Sequence, residues 1–224
     1  MESETSKIIK MSEIRSKSGL AIVLSHLEAF SEPKVRAEQY ISDSETAAFA
    51  LWQAALLGDL NGKVIADLGC GTGLLGIGAL LLGAKSVLFV DFDEKALEKA
   101  KKNLSKVKSE GYPIGKAEFV LKDIGELKEA EVAGVDAIIE NPPFGTKVRH
   151  SDILFLKKAL EIAPIVYSFH KSETKGFLEG FAAKKNAKIT HAWDFRFPLK
   201  ASFSFHRRQI HRINVSCLRF VMQK

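Results

Sequence analysis

Cysteine is nearly missing from this chain. Cys70 and Cys217 are its only two among 224 residues, and no Cys-x-x-Cys spacing is present. That argues against both a disulfide framework and a zinc site, and no metal is expected. Long apolar runs are missing as well. The longest covers residues 74–84, is too short for a bilayer and carries glycines, so no membrane span is expected. The first residues, Met1-Glu2-Ser3-Glu4-Thr5, are polar and acidic and lack the apolar core of a secretory signal. The expectation is a cytoplasmic protein. Repeats and low-complexity segments are absent too. Asn, Gln, Cys and Met are few while Lys and Glu are plentiful, a bias of heat-adapted proteins.

What is present is the composition of a soluble globular chain, 46% apolar and 27% charged, long enough for one domain with a short extension. The net charge of +6 is compatible with a polyanionic partner without requiring one. An amphipathic helix is expected before residue 30, with Leu20, Ile22, Val23, Leu27 and Phe30 on one side, stopped by Ser31-Glu32-Pro33. A polar stretch, residues 38–45, leads into an Ala-rich helix over 46–57, with Asp43 or Ser44 as N-cap. Then strand and helix signals alternate. Strands are expected at 64–68, 86–90, 117–121, 135–140, 165–169, 191–197 and 212–222, and helices at 74–82, 94–106, 151–163 and 173–185. This is an α/β pattern, a mostly parallel sheet covered on both faces, with the last hairpin adding one antiparallel strand.

Two stretches carry chemistry. Asp67-Leu68-Gly69-Cys70-Gly71-Thr72-Gly73 follows the first strand and opens a helix, so its backbone can turn sharply and approach a ligand closely. Asp91 ends the second strand, where a carboxylate can accept from both hydroxyls of a ribose. Asp123, after the third strand, could accept from an adenine amino group, with Ile124 against the ring. A nicotinamide dinucleotide also fits a glycine loop plus an acid. The spacing Gly69-x-Gly71-x-Gly73 differs from that fingerprint, however, and Asp67 suits a cationic ligand better than a pyrophosphate. S-adenosyl-L-methionine, with its ammonium and sulfonium, answers that charge logic. The second stretch, Asn141-Pro142-Pro143-Phe144, leaves the fourth strand at the sheet's carboxyl edge. Two prolines make a stiff turn that lacks two N–H donors. The Asn141 side-chain carbonyl and the Pro142 carbonyl are then two neutral acceptors for one planar NH2 group, and Phe144 offers a face to a flat ring.

With both motifs in place, the chain resembles the Rossmann-like class I methyltransferases. It is most similar to the methyltransferase-like family that N6-methylates one adenosine of small-subunit ribosomal RNA in archaea and eukaryotes. The resemblance runs through Glu38-Gln39-Tyr40, residues 66–71, Asn141-Pro142-Pro143-Phe144-Gly145-Thr146-Lys147, Asp152 with Phe155-Leu156-Lys157, residues 166–172, and Phe205-His206-Arg207-Arg208. It implies a seven-stranded sheet of order 3-2-1-4-5-7-6, strands numbered along the chain. It also implies a division into a helix and cofactor lid over 1–45 and a methyltransferase domain over 46–224. By the same resemblance Gln39, Tyr40 and Ser42 touch the cofactor. Gly69, Gly71, Thr72, Gly73 and Leu74 line its methionine end, Asp91 holds the ribose, and Asp123 and Ile124 the adenine. The family usually has threonine where Ser42 stands and proline where Ile41 stands.

The implied reaction needs no strong base, because the amine proton becomes acidic only after methyl transfer. Catalysis is then orientation by Asn141 and Pro142 plus removal of the target from water, with Phe144 stacking on an adenine swung out of its helix. The same four residues could present a glutamine amide, as in methyltransferases of release factors. Those usually carry tyrosine in the fourth place and a helical N-terminal domain. A cofactor-binding RNA adaptor without chemistry is a third reading, opposed by the intact Asn141 and glycine loop. Contact with RNA is expected from Lys147, from His170 and Lys171 at the end of the fifth strand, and from the cluster Lys200, Phe205, His206, Arg207 and Arg208. The third strand, at a sheet edge, is expected to accept a strand from a small zinc-ribbon activator protein of the kind such enzymes often use.

Overall fold

Four of the five parallel strands are runs buried on both faces, as a sheet covered by helices requires, while the edge strand over 116–121 stays half-exposed. A computed structural model describes residues 13–30, 43–144, 151–199 and 211–223, side chains of 129, 198, 199, 211 and 212 excepted. Strands β1 (Val64–Leu68), β2 (Ser86–Asp91), β3 (Lys116–Leu121), β4 (Ala137–Glu140) and β5 (Ile165–Lys171) run parallel. β7 (His211–Met222) lies antiparallel between β5 and β6 (Ala187–Leu199). The order is β3-β2-β1-β4-β5-β7-β6, as expected, with β7 the antiparallel member.

Two apolar layers flank this sheet. Ile65, Phe89 and Ile139 pack with α1 (Lys17–Ser25), α2 (Ser44–Leu56), α3 (Leu74–Leu81) and the apolar stripe of α4 (Glu94–Ser109). Ala66, Leu88, Val90, Ile138 and Val166 face the other way, under α5 (Ser151–Ile162), α6 (Lys175–Lys184) and the 3-10 turns Ile124–Glu126 and Glu129–Val132. Among the described residues no helix is long and apolar enough to cross a membrane.

Asp43 is the N-cap of α2: its carboxylate accepts the N–H groups of Glu45 and Thr46. In α1 the buried side is Leu20, Ala21, Val23 and Leu24, while Ile22, expected on that side, is 58% exposed. The helix ends at Ser25, so Leu27 and Phe30 follow it rather than extend its stripe. β5 runs two residues further than expected, to Lys171, and β6 begins four earlier, at Ala187. Both extensions are drawn out by β7, which pairs along their lengths.

Candidate active site

The parallel strands all point their carboxyl ends to one edge, and the singled-out residues of β1, β2 and β4 meet there. Leu68 is in register with Val90 on one side and Glu140 on the other, so Gly69, Asp91 and Asn141 leave three adjacent strands together. The loop after β1 is pinned by its neighbour: Cys70 N–H donates to Val90 O at 3.0 Å and Gly71 N–H to Asp91 Oδ2 at 2.8 Å. Gly69 has φ 67°, and a Cβ there would stand 2.8 Å from the Phe155 ring of α5, so only glycine lets helix and loop meet.

Three carboxyls lie beneath this edge. Asp91 is 6% exposed and also accepts Asp93 N–H through Oδ1 at 2.9 Å; burial raises its pKa. A carboxylate accepts up to about four hydrogen bonds, so Asp91 keeps capacity for ribose hydroxyls. Asp67 is buried behind the loop and accepts Gly76 N–H at 2.8 Å. Burial, with Asp91 nearby, pushes it up to about 7 against the pull of that hydrogen bond. A cation at the loop would relieve these groups, whereas a pyrophosphate would face them.

The third carboxyl, Glu140, immediately precedes Asn141 and heads a buried run of polar groups. Ser168 Oγ lies 2.7 Å from Glu140 Oε1 and 2.8 Å from His170 Nε2, and His170 Nδ1 lies 3.6 Å from Asp152 Oδ2, within ion-pair range but too far for a hydrogen bond. Burial, and to a lesser degree Asp67 and Asp152, push Glu140 up to about 8 despite the Ser168 contact. Burial alone would raise Asp152; its contacts with His170, together with backbone N–H groups of the first turn of α5, outweigh that and hold it below the usual range. One hydroxyl carries one proton. Ser168 therefore donates to Glu140 when that acid is ionised, and the order of donors reverses when it is protonated. This network joins β4, β5 and the first turn of α5 under the Asn141 turn. The far end of the turn is held by Ser151, whose hydroxyl donates to Pro143 O at 3.3 Å.

Two expectations need correction. His170, expected at an RNA surface, is fully buried, because β5 turns its side chain inward toward Ser168 and α5. Phe144 is 7% exposed and packs into the core, so its ring has no open face for stacking in this structure. Asn141 and Pro143 are half-buried and Pro142 is buried. Lys171 is half-buried at the end of β5. Thr72 and Leu74 are half-buried and Gly73 caps α3. Asp123 is exposed and accepts Gly125 N–H at 2.7 Å, and Ile124 is buried beside it. Gln39, Tyr40, Ser42, Lys147, Lys200, Phe205, His206, Arg207 and Arg208 lie outside the described residues.

Phe92 was missed. It is 58% exposed between Asp91 and Asp93, an open aromatic ring at the same strand end, and the signal was the apolar residue inside Asp91-Phe92-Asp93. Glu140, Ser168 and Asp152 were also missed as a set, since they come from three elements.

These residues fit S-adenosylmethionine. The loop backbone is open to close approach, Asp91 has lone pairs to spare for a diol, and the buried acids favour positive charge. Known proteins resemble this chain over most of its length. The methyltransferase small domain matches residues 42–162. An uncharacterized protein of Methanocaldococcus jannaschii is 36% identical over 91% of this chain and 93% of its own. The rRNA N(6)-adenosine-methyltransferase METTL5 of Danio rerio is 33% identical over 88% of this chain and 94% of its own. A Pyrococcus horikoshii crystal structure, provisionally named as an RNA methyltransferase, superposes with a TM-score of 0.82 at 41% identity, covering 93% of this chain and 98% of that one. The chain belongs to the methyltransferase small domain family.

Proposed function

We propose that this chain methylates the exocyclic N6 of an adenosine in small-subunit ribosomal RNA. The observation that carries the reading is the register that sets the Asn141 turn beside the Gly69–Gly73 loop on adjacent strands. The likeness to an enzyme named for rRNA N6-adenosine methylation, over nearly the whole of both chains, supports the substrate. When bound, S-adenosylmethionine supplies the methyl group. The chain's own residues do the rest. Asn141 Oδ1 and the Pro142 carbonyl accept both hydrogens of the target amine, so its lone pair is freed from the ring and aimed at the methyl. Asp91 accepts from the cofactor's ribose, and Asp123, Ile124 and Phe92 bound its adenine. Gln39, Tyr40, Ser42, Thr72 and Leu74 complete that site. Phe144, packed as it is, stiffens the turn; it stacks on the target only if the target's arrival uncovers its ring.

RNA contact is assigned to Lys147, Lys171 and the Lys200, Phe205, His206, Arg207 and Arg208 cluster, whose charge matches a polyanion. We place the protein in the cytoplasm and end the lid segment where α2 begins, at Ser44, since a division at residue 45 would cut that helix. We also retain the zinc-ribbon activator at the open edge of β3.

The test is Asn141→Ala. Its affinity for S-adenosylmethionine by calorimetry stays within about twofold of wild type, while methyl transfer to ribosomal RNA falls by about 10²-fold or more. Full transfer by the variant overturns the mechanism. Transfer to a protein glutamine instead of RNA would favour the release-factor type of reaction.

A further inference from the structure

α4 is lysine-rich, and its inward stripe reads Ala96, Leu97, Ala100, Asn103, Leu104 and Val107. One member of that stripe is an amide. Asn103 is 1% exposed, and burying a carboxamide is unfavourable unless its groups are paired. They are paired outside the helix. Oδ1 accepts Glu28 N–H at 2.8 Å, and Nδ2 donates to Glu28 O at 3.0 Å and to Thr72 O at 2.9 Å. The side chain thus reads both backbone groups of Glu28 and one of the glycine loop. Only a carboxamide carries an acceptor and two donors in that arrangement.

Two lysines of the same helix hold the same segment from outside. Lys99 Nζ meets Glu28 Oε2 at 2.6 Å, and Lys106 Nζ donates to His26 O at 2.8 Å. Beyond Glu28 the chain brings Phe30 onto the loop: a Cβ on Gly71 would lie 3.2 Å from its ring. Gly71 is the residue whose N–H is held by Asp91. Residues 71 and 72 are therefore fixed by Asp91 from the sheet, by Asn103 from α4 and by Phe30 from the segment after α1.

We infer that Asn103 is a positioning residue for the cofactor, clamping residues 26–30 onto the glycine loop so that this segment is part of the binding site. This rests on the proposed methyltransferase reading and goes beyond it. Without the clamp the Thr72 carbonyl loses its partner, Phe30 is no longer held on Gly71, and the loop must be ordered by the ligand when it binds. The expected effect is on affinity more than on the chemical step, because Asn141 is untouched.

The experiment compares wild type, Asn103→Ala and Phe30→Ala. Calorimetry with S-adenosylmethionine, amide hydrogen exchange at Glu28 and transfer kinetics against cofactor concentration are the readouts. Asn103→Ala should bind about tenfold or more weakly. It should lose protection at the Glu28 amide and recover kcat near the wild-type value at saturating cofactor. Phe30→Ala, which leaves the amide in place, should weaken binding with little change in melting temperature, and it decides the matter if Asn103→Ala fails to fold. Unchanged affinity in Phe30→Ala, or in a folded Asn103→Ala, overturns the inference while the methyltransferase reading stands. A wild-type chain that binds no S-adenosylmethionine overturns both.

Discussion

Glu140 is fully buried one residue before Asn141, and its carboxyl titrates near 8 rather than in the usual range. Between about pH 4.5 and 8 an unfolded chain would ionise this group while the folded chain keeps its proton. The folded state then binds more protons, so the contribution to stability present at low pH is lost as pH rises through that window. Glu140→Gln cannot ionise and escapes the loss. Denaturant titrations from pH 4 to 8.5 should show the variant gaining on wild type with rising pH, by a few kcal/mol at most and with the gain levelling off above about pH 8. Parallel profiles would show that Glu140 is already ionised in the folded state. Asp67 imposes the same trend with its upper limit near 7, so the Glu140→Gln variant keeps a smaller slope of its own. At this scale the sequence displayed Asp67, Asp91, the glycines and Asn141, because each stands at a strand end that the apolar runs mark. It hid His170 and Asn103, since their burial depends on Ser168, Glu140, Thr72 and Glu28, all from other elements. The position of Asn103 within an apolar helix stripe was the readable clue.

β3 is the edge strand that the family resemblance implied, and its register fixes which backbone groups are open. Lys116 N–H donates to Lys85 O and Lys122 N–H to Asp91 O, so even-numbered residues turn toward β2. Val120 therefore points its N–H inward, toward β2. Ala117, Phe119 and Leu121 point outward. Phe119 is committed to a stack on Phe89 at 4.8 Å, whereas Leu121 is 53% exposed. Leu121→Pro removes one outward donor without breaking the ladder to β2. If an activator adds its strand here, this variant should lose co-purification with it while keeping a near-normal melting temperature alone. Undiminished association places the partner on another surface. The strand and helix segments were legible from hydropathy, and their order in the sheet from the family resemblance. The extra residues of β5 and β6 were not, because their pairing with β7 decides those ends.

Across the whole molecule, the parallel strands bring a glycine loop, the buried Asp91 and the Asn141 turn to one edge, on a chain of net charge +6. The assembly was readable because each motif follows a strand and the order of the strands sets their neighbours. The state of Phe144 was not, since a ring next to a ligand edge and a ring in the core have the same sequence signature. The central claim is the reaction itself, and nucleoside mass spectrometry of ribosomal RNA tests it most directly. RNA from cells lacking this protein, from cells carrying it, and from cells carrying Asn141→Ala would be digested and compared. One N6-methyladenosine per small-subunit RNA is expected, present only with the intact protein. An unchanged modification profile in all three, or a methyl group found on a base other than adenine, would contradict it.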